Sequence, residues 1–357
     1  MKKVFVGLSG GVDSAVSAGL LKEAGFDVTG VFIKAWTPDG YPCTWKEDRR
    51  SAMRAAAVLD IPFHTLDLEK EYKRDVVDYM IREYKNGRTP NPDVMCNKEI
   101  KFGGFLKWAR EQGADFVATG HYAQRAPSPD QGEGGVGLKE GADKNKDQTY
   151  FLWTLSQDQL RHTLFPIGHL QKSEVRKLAE KFGLPQATRK DSQGLCFLGQ
   201  IDMKEFLHDF IDSKEGKVLD LTGQEIGSHD GAVLYTLGER HGLRIFNQTD
   251  QSKPFYVVSK DIKSNTITVA PQPTFPAADI THTYQLEQIN WISGKPPREN
   301  IECRYRYRQP KIPCRVNGDT VTFESPQLIA SGQSIVFYLP KQGQDGDEIC
   351  LGGAIIS

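Results

Sequence analysis

Three stretches of this chain combine residue types that do chemistry. The first, Ser9-Gly10-Gly11-Val12-Asp13-Ser14, follows the apolar run Val4-Phe5-Val6-Gly7-Leu8 and leads into a helical pattern. Its glycines let backbone amides approach an anion, and a helix N-terminus adds unpaired N–H donors with a favourable dipole. Ser9 and Ser14 can donate to the same anion, and Asp13 is suited either to holding Mg²⁺ or to capping the helix. The stretch reads as a phosphate loop, but the chain has neither G-x-x-x-x-G-K-[ST] nor G-x-G-x-x-G, so it is not the loop of a Walker-type kinase or of a dinucleotide-binding domain.

The other two stretches contain thiols. Six cysteines (Cys43, Cys96, Cys196, Cys303, Cys314, Cys350) are scattered without a C-x-x-C pair, so spacing suggests neither a disulfide scaffold nor a metal site. A buried, inert thiol is the default for each. Cys96 departs from it because Asn91-Pro92-Asp93-Val94-Met95-Cys96 places it at a helix start with Lys98 and Lys101 close by, surroundings that favour a thiolate. Asp93 is equally suited to proton transfer and to capping that helix. Cys196 lies in Asp191-Ser192-Gln193-Gly194-Leu195-Cys196-Phe197-Leu198-Gly199, an accessible glycine-flanked loop near Arg189 and Lys190. Two such cysteines in one domain with a phosphate loop point to sulfur chemistry.

The elements that must position these residues follow from periodicity. Over the first ~120 residues, apolar runs (Val4–Leu8, Val28–Ile33, Phe63–Leu68, Phe116–Thr119) alternate with helical patterns (Ala15–Lys22, Arg49–Leu59, Tyr72–Tyr84, Ile100–Arg110), which predicts an α/β domain with a doubly wound parallel sheet. Ala126–Lys146, rich in Gly, Pro, Asp and Lys, reads as a flexible surface excursion. Helices over Ser173–Phe182 and Met203–Ile211 flank the Cys196 loop. Beyond about residue 213, short runs including Ala232–Thr236, Phe255–Ser259, Thr266–Ala270, Ile301–Tyr307, Ser334–Leu339 and Ile349–Ile356 predict small β-rich units. The expected division is 1–212 for the α/β domain, 213–277 for a central β-rich domain and 278–357 for a C-terminal β-barrel, with Pro271–Pro276 as linker. Arg304-Tyr305-Arg306-Tyr307-Arg308 alternates as a strand does, with the arginines on one face; that face suits RNA phosphate and a charged edge strand equally well.

Bulk properties set limits. A chain of 357 residues is long enough for two or three cores. With 45 basic and 46 acidic side chains no global field draws it to nucleic acid, so any RNA contact is local. No run of 18 apolar residues and no secretory h-region occurs, which predicts a cytoplasmic protein without membrane contact.

The phosphate loop resembles the PP-loop of ATP pyrophosphatases, which cleave between the α- and β-phosphates and leave AMP on a substrate oxygen. Taken in order, SGGVDS, NPDVMCNKEIKF, Thr119-Gly120-His121-Tyr122-Ala123, Lys146-Asp147-Gln148-Thr149-Tyr150-Phe151-Leu152, DSQGLCFLG, Arg306-Tyr307-Arg308-Gln309 and Cys350-Leu351-Gly352-Gly353-Ala354-Ile355-Ile356 resemble the bacterial tRNA-specific 2-thiouridylase family over essentially the whole chain. The resemblance implies ATP-dependent adenylation of O2 of the wobble uridine of tRNA, followed by sulfur transfer that yields 2-thiouridine, AMP and pyrophosphate. It implies that Gly7, Leu8, Ser9, Gly10, Gly11, Val12, Asp13, Ser14, Ile33 and Gly120 bind ATP, with Mg²⁺. Asn91, Pro92, Asp93, Lys146, Asp147 and Gln148 would meet the target base and its surroundings, and Arg306 and Tyr307 the tRNA. Cys96 would be the nucleophile, Cys196 the persulfide carrier and Asp93 the proton-transfer group. The implied partners are the anticodon stem-loop of Lys, Glu and Gln tRNAs and a persulfide donor, either a cysteine desulfurase or a sulfur-relay protein. Ile33 stands where the family often has Met, and Thr149 where it often has Ser. The rival readings are a PP-loop synthetase adenylating a small metabolite, a non-catalytic tRNA-binding protein, and an iron–sulfur enzyme using both cysteines.

Overall fold

The computed structural model describes residues 1–357 except 39, 42–44, 129–134, 191–193, 195, 200, 247–253, 272–280, 298–300 and 341–347. Cys43, the Pro-rich linker beyond Pro271 and four residues of the Cys196 loop thus lie outside the described residues.

Strands β1 (Lys3–Gly7), β2 (Asp27–Lys34), β3 (Phe63–Asp67), β4 (Phe116–Ala118), β5 (Ala123–Pro127), β6 (Val136–Glu140) and β7 (Thr163–Leu164) belong to the first part of the chain. Five of them form a sheet in the order β3-β2-β1-β4-β7, every pair parallel. Both faces are covered over β1, β2 and β4, which is why these strands read as largely apolar runs, whereas the edge strand β3 is partly exposed. In β1, Val4 and Val6 pack on one side with Val16 and Ala55, while Phe5 packs on the other with Ile100 and Phe105. The doubly wound sheet expected from alternation is present. The order turns at β1, with β2 on one side and β4 on the other, so the carboxyl ends of β1, β2 and β4 open a crevice.

A second sheet, β10-β9-β8-β12-β11, contains β8 (Gly216–Leu219), β9 (Glu225–His229), β10 (Arg244–Ile245), β11 (Phe255–Asp261) and β12 (Thr266–Pro271). Ala232–Thr236, expected as a strand, instead begins with a 3₁₀ turn at Ala232–Leu234 that follows Gly231 at φ 132°. Its apolar side chains are nonetheless buried, and Tyr235 packs with Val257, Ile267 and the Phe206 helix in a core continuous with that of the first sheet.

The last strands, β13 (Thr281–Trp291), β14 (Ile301–Arg304), β15 (Ile312–Asn317), β16 (Thr320–Gln327), β17 (Ser334–Tyr338) and β18 (Ile349–Ile356), run β13-β16-β15-β14-β17-β18 and close through β13 on β18. A six-stranded barrel results, with no open edge between its first and last strands.

Two further expectations are corrected. The segment read as a surface excursion is a β-hairpin: β5 pairs with β6, and β6 adds antiparallel to β18 of the barrel, Cys350 facing Leu138. Polar, glycine-rich strands are set by their partners rather than by their own pattern. The Arg/Tyr alternation also fails, because β14 ends at Arg304 and the chain bends, with Arg308 at φ 63°. Arg304 is buried, Arg306 is exposed and donates to the Leu237 carbonyl (3.1 Å), and Tyr307 turns inward, so the arginines share no face.

Candidate active site

The crevice at the ends of β1, β2 and β4 is a cavity of about 650 Å³. One end is the phosphate loop. Gly10 adopts φ 84°, and a Cβ there would stand 2.5 Å from the Asp48 carbonyl oxygen, so only glycine fits. Gly11 is the N-cap of helix α1 (Val12–Glu23) and makes no side-chain cap bond, which leaves the helix amides turned towards the cavity. Ser9 and Ser14 hydroxyls lie 3.3 Å apart, and Ser14 Oγ also accepts from Ser9 N (3.2 Å). Gly120, after β4, abuts this loop so closely that a Cβ would sit 2.6 Å from Ser14 N. The cradle is open to an anion and closed to side chains, as a triphosphate site requires. Ile33, buried on β2, forms part of the wall.

Asp13 does not cap the helix. Lys172 Nζ lies 2.7 and 2.8 Å from its two oxygens, and the Tyr122 hydroxyl donates to one of them (2.8 Å). On the other side, Arg189 donates to the Gly10 carbonyl (2.8 Å) and pairs with Asp48 (2.5 Å). Lys172, Asp48 and Ser51, whose hydroxyl also donates to the Gly10 carbonyl, were not singled out in the sequence, and Tyr122 was noted only as part of a resembling block. Asp48 and Ser51 share the helix Trp45–Val58, Lys172 and Tyr122 lie elsewhere in the chain, and no local pattern joins any of them to the loop.

The thiols stand at the far end. A helical run starts at Pro92–Met95, continues through the π-wound Cys96–Phe105 and ends with Leu106–Glu111. In a π-helix residues four and five apart share a face, which brings Cys96, Asn97 and Lys101 together. Asn91, not Asp93, caps the run, accepting from Val94 N at 3.3 Å, with Pro92 in the first turn. Asp93 is thereby free to turn inward, where its Oδ1 accepts from Cys196 N (3.0 Å), while the Tyr72 hydroxyl donates to the Cys196 carbonyl (2.6 Å). These two bonds hold the Cys196 loop over the helix, and the two sulfurs approach to 2.9 Å. Cys196 lines the cavity and is partly exposed, whereas Cys96 is fully buried behind it.

The electrostatics separate the pair. The hydrogen bond from Cys96 lowers the Cys196 thiol below its ordinary value; burial opposes this, and the Lys101 ammonium adds to it. Burial, and then Cys196 itself, raise the Cys96 thiol well above its usual range. Of the two, Cys196 is the sulfur that gives up its proton more readily and Cys96 the one that holds it. Lys101 is buried, which works against its charge, yet the two sulfurs outweigh that and keep it protonated. Its ammonium lies 3.4 Å from His121 Nε2, and burial with that neighbouring cation keeps His121 neutral. Of the two lysines noted near Cys96, Lys98 instead pairs with Glu99 at the surface (3.1 Å). Burial raises the Asp93 carboxyl, although Cys196 N–H and Lys101 oppose that, giving a carboxyl suited to exchanging protons.

The third wall carries Lys146, Gln148, Phe151, Tyr307 and Arg308. The Tyr307 ring, delivered by the barrel, packs against Phe151 with centroids 4.7 Å apart and planes tilted by 49°. Asp147 differs from its neighbours. It is buried, accepts from Gly141 N (3.1 Å) and Thr149 Oγ1 (2.9 Å), and pairs with Arg304 (3.1 Å). It therefore offers no surface to a base or to tRNA and acts as the bracket between Lys146 and Gln148. Among the described residues no group of three His, Cys, Asp or Glu side chains could hold a metal ion, and no helix is long and apolar enough to cross a membrane.

Comparison with known proteins covers the full chain. Residues 2–200 match the family described as tRNA methyl transferase HUP domain, 204–271 the tRNA methyl transferase PRC-barrel domain, and 281–356 the aminomethyltransferase beta-barrel domain. A tRNA-specific 2-thiouridylase MnmA of Streptococcus mutans is 46% identical, covering 99% of this chain and 95% of its own. The protein of that name from Lacticaseibacillus paracasei is also 46% identical, covering 99% and 94%. Among solved structures, the U34-tRNA thiolase NcsA of Methanococcus maripaludis covers 59% of this chain and 64% of its own at 19% identity and a TM-score of 0.36, a similarity too low to carry any argument.

Proposed function

This chain belongs to the tRNA-specific 2-thiouridylase family, and from that premise we propose how its own residues replace O2 of a tRNA uridine with sulfur. The protein is a tRNA-uridine 2-sulfurtransferase that consumes ATP. The observation that carries the residue assignment is the single cavity joining an anion cradle at Gly10 and Gly11 to the Cys196 sulfur, with a second sulfur 2.9 Å behind it. A synthetase acting on a small metabolite has no use for that second sulfur.

ATP lies with its phosphates on the cradle and its base towards Ile33 and Gly120. Mg²⁺ comes with the phosphates; the chain's own nearby carboxylate, Asp13, is already engaged by Lys172 and Tyr122, and no step below depends on the metal. The wobble uridine leaves its stack to reach the cavity, where Tyr307 and Phe151 give it an aromatic face and Lys146 and Gln148 line its path. Attack of O2 on the α-phosphorus expels pyrophosphate and leaves AMP on O2, a far better leaving group than oxide. The helix amides and Ser9 and Ser14 offset the charge that develops on the phosphate.

Cys196, the partly exposed and more readily deprotonated thiol, takes a sulfane sulfur from a persulfide donor, a cysteine desulfurase or a relay protein. The terminal sulfur of this persulfide attacks C2. Cys96 then attacks Cys196 Sγ, and its proton passes to Asp93. The S–S bond to the transferred sulfur breaks, AMP leaves with the C2–O electron pair, and a Cys96–Cys196 disulfide remains for a cellular dithiol to reduce. Burial holds the Cys96 thiol well above its usual range whether or not Cys196 is charged, which protects the loaded persulfide from premature attack. The anticodon stem-loops of Lys, Glu and Gln tRNAs, met by exposed Arg306 beside Tyr307, and a cytoplasmic location complete the reading.

The test is mass spectrometry of wobble nucleosides after incubating unmodified tRNA with ATP, Mg²⁺ and a persulfide donor. Wild type yields 2-thiouridine. Cys196→Ser and Cys96→Ser yield none but still release pyrophosphate in response to tRNA. Product formation by Cys196→Ser sinks the assignment.

A further inference from the structure

Seven buried side-chain nitrogen or oxygen atoms among the described residues lack a hydrogen-bond partner, on Arg88, Asn97, Trp153, Thr154, Gln186, His229 and Arg304. Only one of these residues, Asn97, also lines the cavity. It is 2% exposed and follows Cys96 directly on the π-wound segment. The orientation of its amide is fixed by chemistry: Nδ2 donates to the Phe151 carbonyl at 3.0 Å, and a carbonyl can only accept. The unpaired atom is therefore Oδ1, an acceptor held in place without a donor.

A buried acceptor without a partner is costly, and native proteins rarely keep one unless a ligand completes it. The neighbouring groups do not. Lys101 is turned to His121 and the sulfurs, the Tyr72 hydroxyl is spent on the Cys196 carbonyl, and Cys196 N–H on Asp93. What enters beside Phe151 and Cys196 must bring a hydrogen-bond donor. Uracil carries one ring N–H, at N3, next to the C2 that sulfur must reach. Cytosine has an acceptor at the same position, and two acceptors face to face repel.

We propose that Asn97 selects the target base as uracil by accepting its N3–H through Oδ1, an inference that rests on the 2-thiolation reading above. The bond does two things. It sets the base edge so that O2 and C2 face the phosphate loop and Cys196, and it draws electron density from N3–H towards O2, the atom that attacks phosphorus. Binding discrimination of this kind is strong because the wrong base leaves buried polar groups unpaired.

The experiment compares wild type and Asn97→Ala on tRNA carrying either uridine or 3-methyluridine at the wobble position, reading 2-thio product by mass spectrometry. Wild type should strongly prefer uridine. In Asn97→Ala, kcat/KM on uridine should fall about 10- to 100-fold, and the preference over 3-methyluridine should collapse to within a few-fold, because the acceptor is gone and the methyl group gains room. The preference is a ratio within one protein, so partial loss of fold cancels. A variant that slows equally on both substrates and keeps the wild-type preference overturns the proposal, as does one that thiolates uridine at the wild-type rate. A defect confined to the KM for ATP overturns it too, assigning Oδ1 to the adenine amino group. Absence of 2-thiouridine from wild type itself is a separate outcome, which overturns the thiolation reading and this proposal with it.

Discussion

Replacing Arg304 by Met should loosen the barrel from the active site. Arg304 is buried among Glu140, which it pairs with, Asp147 (3.1 Å) and the ring of Tyr338 (4.5 Å). The side chains of Glu140 and Asp147 are only 3% and 2% exposed. Lys311 (2.9 Å) and Lys144 (3.0 Å) also reach Glu140, and both also pair with Glu348, so three cations balance three carboxylates across the junction of hairpin and barrel. Methionine keeps much of the volume but removes one charge. Glu140 retains two lysines, whereas Asp147 loses its cation and keeps only Gly141 N–H and Thr149. Leaving one buried charge unpaired costs about 3–5 kcal/mol, and that is the stability loss expected in denaturant unfolding. The neutralising second change Asp147→Asn should recover most of it. The pH dependence has a fixed sign. Burial and Glu140 already raise the Asp147 carboxyl, with Arg304 opposing them, so the variant raises it further. A group whose folded pKa lies above its unfolded value binds its proton more tightly when folded; its penalty is absent below the unfolded pKa and grows as pH rises through the folded one. The deficit against wild type should therefore be larger at about pH 8 than at about pH 5.5. Because Asp147 sits between Lys146 and Gln148, thiolation of tRNA should also slow while the ATP site is spared. A loss below about 1 kcal/mol, or no recovery with Asp147→Asn, would refute the latch.

The remaining tests are local. Lys101→Met removes the cation that, after the Cys96 hydrogen bond, holds Cys196 down; alkylation of Cys196 at neutral pH should slow and its pH profile move upward, and an unchanged profile would show that Cys96 alone sets it. Gly10→Ala forces a Cβ to within 2.5 Å of the Asp48 carbonyl at φ 84°. It should cost about 1–3 kcal/mol of stability and at least about tenfold in tRNA-dependent pyrophosphate release, with wild-type kinetics counting against the cradle.

Much of the site was legible because its signals are local. Strand, paired glycines and helix start are contiguous from Val4 to Ser14, and a local backbone pattern needs no distant partner to be recognised. The same holds for Cys96 near a helix start with Lys101 one π-turn on. The question the residues left open at Asp93 is answered by a neighbour: Asn91 takes the cap, which releases Asp93 to Cys196. The failures lie where partners decide. Arg304 carries the same alternation as Arg306 and Arg308, yet it is buried, because β6 brings Glu140 against it and the chain bends immediately after it. The hairpin itself, Ala-Gln-Arg-Ala-Pro and Val-Gly-Leu-Lys-Glu, has no strand alternation strong enough to be read alone.

The sequence by itself determined the parallel sheet, the phosphate loop and the two thiols with the chemistry they suit, because periodicity and backbone chemistry act over a few residues. The tertiary structure decided that the thiols meet at 2.9 Å, that Cys196 rather than Cys96 is the more readily deprotonated, that the barrel supplies Tyr307 to the cavity, and that Asn97 is left with an unpaired oxygen. Each of these depends on burial and on groups far apart in the chain, as Gly7 and Tyr307 are in the one cavity, and desolvation and charge pairing have values only once the chain has closed around them.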